Sequence, residues 1–324
     1  MTEPPEPPAP SVAASELEAA RGFGRRLSEN VRRAVKVTDE VLGDVIVAMV
    51  AEGHVLIEDF PGVGKTALAR ALAASLDCQF ARVQCTTDLL PADMVGVNVY
   101  NEREQRFEFR PGPIFANVVL VDEINRASPK TQSGLLECMQ ERHVTVDVHT
   151  HELARPFLVL ATQNPVEYEG TYPLPEAQVD RFMVRVAMGY PSPEDEAGML
   201  AGHEAGDRVL ELEPVATRTE LLEVQEAATR VHSSRALRDY VVSVLRHTRA
   251  DHRVELGASP RSGLMLLRAA KARAVLQGRD HALPDDVQAL ARSVLSHRIV
   301  PAPEAVEVDR GAIVDDALAA TPAL

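Results

Sequence analysis

The run "PGVGKT" (61–66) limits this chain more than any other feature, because of what stands on either side of it. Before it, "HVLIE" (54–58) has the length and composition of a buried strand. After it, "TALARALAASL" (66–76) is a strong helix former. A strand feeding a glycine-rich loop that feeds a helix aims loop amides and a helix N-terminus at one point, and that point suits a phosphate. Gly62 and Gly64 permit close backbone approach. Lys65 is expected to reach the β- and γ-phosphates of a nucleotide, and the Thr66 hydroxyl to ligate Mg²⁺. Pro61, Val63 and Ala67 complete the expected binding run. Asp59 replaces the first glycine of the general pattern, at the far end of the loop from Lys65, where a side chain shapes the turn rather than touching phosphate.

Hydrolysis needs a second, acidic strand end, and "NVVLVDEIN" (117–125) supplies one. An apolar strand ends in Asp122-Glu123, at the edge where a parallel sheet places its ligands. Asp122 is expected to hold Mg²⁺ through water, and Glu123 to polarise the attacking water. The bland alternative is a solvated strand exit. The run "FLVLATQNP" (157–165) ends in Gln163-Asn164-Pro165. Asn164 either orients the water beside the γ-phosphate or belongs to a plain Asn-Pro turn.

Further apolar runs at "FARVQC" (80–85) and "FMVRVAM" (182–188), with helical stretches such as 129–142 between runs, predict an α/β fold with a parallel sheet. Another helix is expected from Asp39, with Val41, Leu42, Val45, Ile46, Met49 and Val50 on one face. After "GYPSPEDE" (189–196) the strand-like runs stop and successive helices follow. The predicted organisation is a Pro/Glu-rich disordered tail over 1–20, a nucleotide-binding core over 21–190 and a helical domain over 191–324. The N-terminus has no secretory pattern and no uncharged apolar run approaches the ~20 residues of a membrane span, so a cytoplasmic protein is expected. The formal net charge of −14 argues against a nucleic-acid coat. Cys78, Cys85 and Cys138 show no metal spacing and read as small buried thiols.

In their order, "PGVGKT", "VVLVDEINRA", "LATQNP", "LPEAQVDRF" and "SPRSGLMLLRAAKARA" resemble the MoxR family of AAA+ ATPases, in the helix-2-insert clade, from about residue 30 to 300. The resemblance implies a P-loop AAA+ core with a five-stranded parallel sheet in the order 5-1-4-3-2, flanked by helices and followed by an all-α lid. It implies ATP and Mg²⁺ as cofactors, and hydrolysis at sites shared between subunits of a homo-oligomeric, often hexameric, ring. Arg181 matches the arginine that reaches a neighbour's site; the alternative is a local pair with Asp180 or Glu176. Arg261 matches the lid arginine that senses the γ-phosphate; the alternative is a plain arginine in the first turn of a helix capped by Ser259. Implied partners are a protein client and a protein with a von Willebrand A domain.

Two inserts, at 94–114 and 142–157, read as β-hairpins. The family's equivalents project towards the ring pore or a partner. Tyr100, Phe107 and Phe109 either grip a client or pair across their hairpin; His149 and His151 read as an exposed strand face rather than metal ligands. The leading functional reading is an ATP-driven remodeller of a protein client. A nucleotide-gated assembly scaffold and a nucleic-acid motor stand as alternatives, the last disfavoured by the acidic balance.

Overall fold

Short apolar runs set the architecture, because the central strands among them are too apolar to face water on either side. The computed structural model describes residues 12–59, 62–164, 170–189, 193, 208–305 and 307–322. In chain order the first elements are α1 (Ala14–Ala34), α2 (Asp39–Val50), β1 (Val55–Glu58), α3 (Lys65–Ser75), β2 (Phe80–Gln84) and α4 (Pro91–Val95). Then come β3 (Gly96–Asn101), β4 (Arg106–Pro111), β5 (Val118–Asp122), α5 (Pro129–Glu141), β6 (His143–Val146), β7 (His149–Glu152), β8 (Leu158–Gln163), α6 (Glu176–Val179) and β9 (Val184–Val186).

Strands β2-β5-β8-β1-β9 form one sheet in that order, all parallel. Counted from β9 in chain order, this is the implied 5-1-4-3-2 arrangement. Residues Leu56, Ile57, Val119, Leu120 and Val121 are fully buried, each stabilising by about 1.5–3 kcal/mol. Edge strand β2 alternates instead, with Val83 buried and Arg82 and Gln84 exposed. That leaves two long polar side chains on the face beside the end of β5.

Helix α2 is capped by the Thr38 hydroxyl, which accepts from the Val41 N–H at 3.3 Å. Its burial is wider than the expected single face, since Asp44, Val47 and Ala48 are covered as well. Two antiparallel hairpins, β3–β4 and β6–β7, interrupt the α/β succession. They meet where the Asn98 amide donates to Asp147 at 2.6 Å and Phe109 stacks on His151 at 3.9 Å. Tyr100 and Phe107 sit opposite each other across β3–β4, edge to face at 5.3 Å, and both are exposed. The expectation of an exposed strand face therefore fits His149 but not His151, which is half-buried between Phe109 and Phe115.

The chain divides into two compact units, Arg26–Thr219, and Met1–Arg25 with Glu220–Leu324. Both boundaries differ from the expected ones. Helix α1 begins at Ala14, inside the expected tail, and buries Ala20, Phe23, Leu27 and Val31 at helical spacing. At the other end, the core unit runs past residue 190 because residues 213–216 are tied to it. The Val215 and Ala216 N–H groups donate to the Ser75 carbonyl at 2.9 and 3.3 Å. Arg26 and Asn30 donate to the Val215 and Glu213 carbonyls, each at 3.0 Å.

The second unit is helical, with α7 (Arg218–Arg230) starting at the boundary, then α8 (Arg235–Ala250), α9 (Pro260–Leu276), α10 (Pro284–Leu295) and α11 (Arg310–Ala319). A short antiparallel pair, β10 (Val254–Leu256) and β11 (Val300–Pro301), joins them. Ser234 and Ser259 cap α8 and α9. Asp286 pins α9 to α10. Its fully buried carboxylate accepts from Arg273 at 2.8 Å, from Arg279 at 2.7 and 2.8 Å, and from the Leu283 N–H at 2.9 Å. Burial pushes this carboxyl up, but the bonds from Arg279, Leu283 and Arg273 together outweigh it and hold its pKa below the ordinary aspartate value. A depressed folded-state pKa gives stability that is present above the unfolded value and lost as pH falls through the folded one. Asp286→Asn should therefore cost about 3 kcal/mol at pH 7 in urea unfolding. The gap from wild type should narrow as pH falls below about 4.

Candidate functional site

The C-terminal ends of β1, β5 and β8 open into one cleft of about 440 Å³. Gly62, Gly64, Lys65, Thr66 and Ala67 line it together with Asp122, Glu123, Thr162 and Asn164. Gly62 and Gly64 have φ of +86° and +91°, a region where a Cβ is strained, so the loop needs glycine at both positions. Gly64 then caps α3, whose first residue is Lys65. A helix N-terminus with glycine amides before it favours an anion. Val63 is buried. Pro61 lies outside the described residues.

The Lys65 ammonium donates to the Asp59 carbonyl at 3.0 Å, closing the loop on itself. Burial lowers the Lys65 pKa, opposed by the charges of Asp59, Asp122 and Glu123. Asp59 itself is buried, and its carboxylate accepts the Gly189 N–H at 2.6 Å. Its own N–H donates to the Gln163 carbonyl at 3.2 Å. The residue that departs from the general loop pattern thus ties the ends of β1 and β8 and the segment after β9 together.

Asp122 closes β5, and the chain then turns through Glu123 at φ 55° and ψ 50°. A non-glycine residue here costs of the order of 1 kcal/mol and persists only where its surroundings impose it. Thr162, on β8, does so with one hydroxyl. It accepts the Glu123 N–H at 2.9 Å and donates to Asp122 Oδ1 at 3.1 Å. On the opposite flank, Arg82 Nε donates to Asp122 Oδ2 at 2.7 Å and Arg82 Nη2 to Gln84 Oε1 at 3.0 Å. Gln84 Nε2 donates to Glu123 Oε2 at 2.9 Å, and Arg126 Nη1 to the same oxygen at 3.1 Å.

Arg181 follows α6 and is half-buried. It is not part of the cleft lining. Its side chain has no hydrogen bond or ion pair among the described residues, so the local pair with Asp180 or Glu176 is not formed. Arg261 stands in the first turn of α9, in the other unit, between the two members of the capping box, Ser259 and Ser262. Cys85 is buried next to this site, and burial, then the charges of Asp122 and Glu123, push its thiol up to about 12. The Cys78 and Cys138 thiols are pushed up to about 11, chiefly by burial. All three remain thiols at neutral pH.

A family profile described as "ATPase family associated with various cellular activities (AAA)" matches residues 54–184, and an AAA lid domain profile matches 246–317. Chaperone MoxR1 of Mycobacterium tuberculosis is 40% identical over 301 residues, covering 90% of this chain and 79% of its own. Protein MoxR of Methylorubrum extorquens is 32% identical over 93% of this chain and 94% of its own. The chain belongs to the MoxR family of AAA+ ATPases. YeaC of Bacillus subtilis is 49% identical over 277 residues, covering 86% of this MoxR-family chain and 87% of its own. A crystal structure from Cytophaga hutchinsonii, described as a candidate ATPase, superposes with a TM-score of 0.89 at 35% identity, covering 96% and 97% of the two chains. Membership brings ATP hydrolysis as the general activity.

Thr162, Arg82, Gln84 and Arg126 are absent from the sequence reading. Arg82 and Gln84 carry a weak signal, two polar residues at i and i+2 on a strand, which a solvated strand face mimics. Thr162 carries none, since a threonine in a buried β-branched run reads as packing. Replacing Thr162 by valine keeps shape but leaves the Glu123 N–H without its acceptor. Thr162→Val should lower ATP turnover by roughly 10- to 100-fold, on the scale of about 1–3 kcal/mol for one unsatisfied group. A phosphate-release assay with circular dichroism as the folding control checks this.

Proposed function

We propose that this MoxR-family protein binds and hydrolyses Mg²⁺-ATP at Lys65, Thr66, Asp122 and Glu123, in sites shared between subunits of a ring, and uses the turnover to remodel a protein client. The observation that carries the hydrolytic part is the held conformation of Glu123. Glu123 lines the same cleft as Asp122, Lys65 and Thr66. Loop amides and the start of α3 receive the phosphates, Lys65 neutralises them, and Glu123 orients and polarises water, with Asn164 beside it at the end of β8. Developing charge then meets fixed donors, which stabilise it without reorganisation.

The residues present suit a magnesium ion that arrives with phosphates. Asp122 and Thr66 are hard oxygen donors lining the same cleft. No cluster of three or more His, Cys, Asp or Glu among the described residues forms a protein cage for a resident metal. When bound, the ion would be held by Asp122 and Thr66 and would offset negative charge on the phosphates.

Arg181 supports the shared site. A guanidinium with no partner among the described residues, set apart from its own cleft, suits a finger for an adjoining subunit, and such fingers are worth ~10³–10⁵ in rate. Arg261 is assigned as the lid's phosphate sensor by its motif. A hexamer is the ring size that the family favours. The exposed Tyr100–Phe107 pair and the tip residue Val148 offer the hairpins an apolar surface for a client. A von Willebrand A domain protein is the partner implied by the family. A cytoplasmic location accords with this reading, and among the described residues no helix is long and apolar enough to cross a membrane.

Two experiments decide between this reading and a nucleotide-gated scaffold. Lys65→Ala and Arg181→Ala should each lose ATP turnover by at least about 100-fold. Mixed together they should recover part of it, because a Lys65→Ala subunit still lends Arg181 to an intact neighbouring site. No recovery in mixtures that co-assemble would remove the shared site. Separately, Glu123→Gln should bind ATP, release little phosphate and hold client in a pull-down with ATP. Wild type that assembles yet turns over no faster than Glu123→Gln would favour the scaffold.

A further inference from the structure

We propose that Arg82 is a positioning residue of the ATPase site: it occupies the magnesium-facing carboxylate of Asp122, competes with the divalent cation for that charge, and sets the orientation of Gln84 against Glu123. This rests on the nucleotide-site reading and adds a residue to it. Four side chains form an unbroken chain across the strand ends. Arg82 Nε reaches Asp122 Oδ2 at 2.7 Å, Arg82 Nη2 reaches Gln84 Oε1 at 3.0 Å, and Gln84 Nε2 reaches Glu123 Oε2 at 2.9 Å.

The chemistry allows one orientation only. A guanidinium has donors and no acceptor, so the Gln84 atom that faces it must be the carbonyl oxygen. The amide NH₂ is thereby turned towards Glu123, whose ionised carboxylate only accepts. Arg82 therefore couples the two acidic residues without touching Glu123. Asp122 Oδ1 accepts the Thr162 hydroxyl at 3.1 Å and Oδ2 accepts Arg82 at 2.7 Å, so a cation that takes up this carboxylate meets the charge of the guanidinium already on it.

Exposure explains how this contact can be given up. The Asp122 side chain is 9% exposed and the Arg82 side chain 50%, so the guanidinium can leave for water while the carboxylate stays. A half-exposed pair of this kind is weak enough for a divalent ion to replace it. Loss of the Asp122 contact also removes one of the two anchors of Arg82, and with it the constraint on the Gln84 amide. Arrival of the cation at one carboxylate is thus felt at the other. Arg82 lies on an edge strand and is exposed, so its replacement spares the core.

The test is Mn²⁺ binding to the full chain at saturating ADP, read by electron paramagnetic resonance. Removing the rival cation in Arg82→Ala should tighten Mn²⁺ about fivefold, a gain that structural damage would not produce. Arg82→Lys should fall nearer wild type, because it keeps the charge and loses the fork. Gln84→Ala leaves the Arg82–Asp122 pair in place and should bind Mn²⁺ as wild type does. Unchanged or weaker Mn²⁺ binding by a folded Arg82→Ala protein overturns the proposal while wild-type binding of Mn²⁺ and ADP keeps the nucleotide site. If wild type binds no ADP, the nucleotide-site reading falls and this one with it.

Discussion

The alignment of β5 between β2 and β8 is the constraint on which the cleft depends. Parallel pairing puts Gln84 level with Asp122, and Val121 level with Ala161. The chain therefore leaves all three strands at one edge, and the residues just beyond face one another. A hydroxyl on β8, a guanidinium and an amide on β2, and two carboxylates, one at the end of β5 and one just beyond it, meet because the backbone ladder sets their heights. The apolar stretches Val118–Val121 and Leu158–Ala161, buried throughout, keep that ladder from slipping. Core packing and site geometry are one interaction seen from two ends.

A chain with a formal charge of −14 can still hold a polyphosphate, because the binding elements are mostly not side-chain charges. Loop amides and the start of α3 supply fixed partial positive charge. Lys65, Arg70 and Arg82 add cations where Asp122 and Glu123 add anions, all lining the same cleft. Asp59 acts on Lys65 through its charge and also holds the loop in place. Its carboxylate is committed to Gly189 and its carbonyl to Lys65, so the loop's departure from the general pattern reinforces the strand ends.

The inserts follow a different logic from the sheet. Each hairpin is too small to be stable alone, and the two support each other through Asn98–Asp147 and the Phe109–His151 stack. That pairing uses Phe109 and His151 as structure and leaves Tyr100 and Phe107 facing solvent. In the helical unit a buried polar node, Asp286 between Arg273 and Arg279, joins α9 to α10. Satisfied networks of this kind specify one arrangement of helices where apolar packing alone would tolerate several.

Local pattern determined the apolar strand runs of the core and the motifs that end β1 and β5. The strand–loop–helix around Gly62–Thr66 and the acidic end of β5 were legible because their signals lie within a few consecutive residues. The five-stranded order came with the family resemblance carried by those motifs. Tertiary structure alone decided the rest. Arg82, Gln84 and Thr162 join Asp122 and Glu123 only through the register of strands about 40 residues apart in the chain, and no short window reports register. The start of α1 and the end of the core unit were hidden for the same reason, since burial of Ala20 and Phe23 and the bonds to the Ser75 carbonyl depend on residues far away in sequence. Propensity and periodicity act over one or two turns of chain, whereas side-chain partners are chosen by packing across the whole fold.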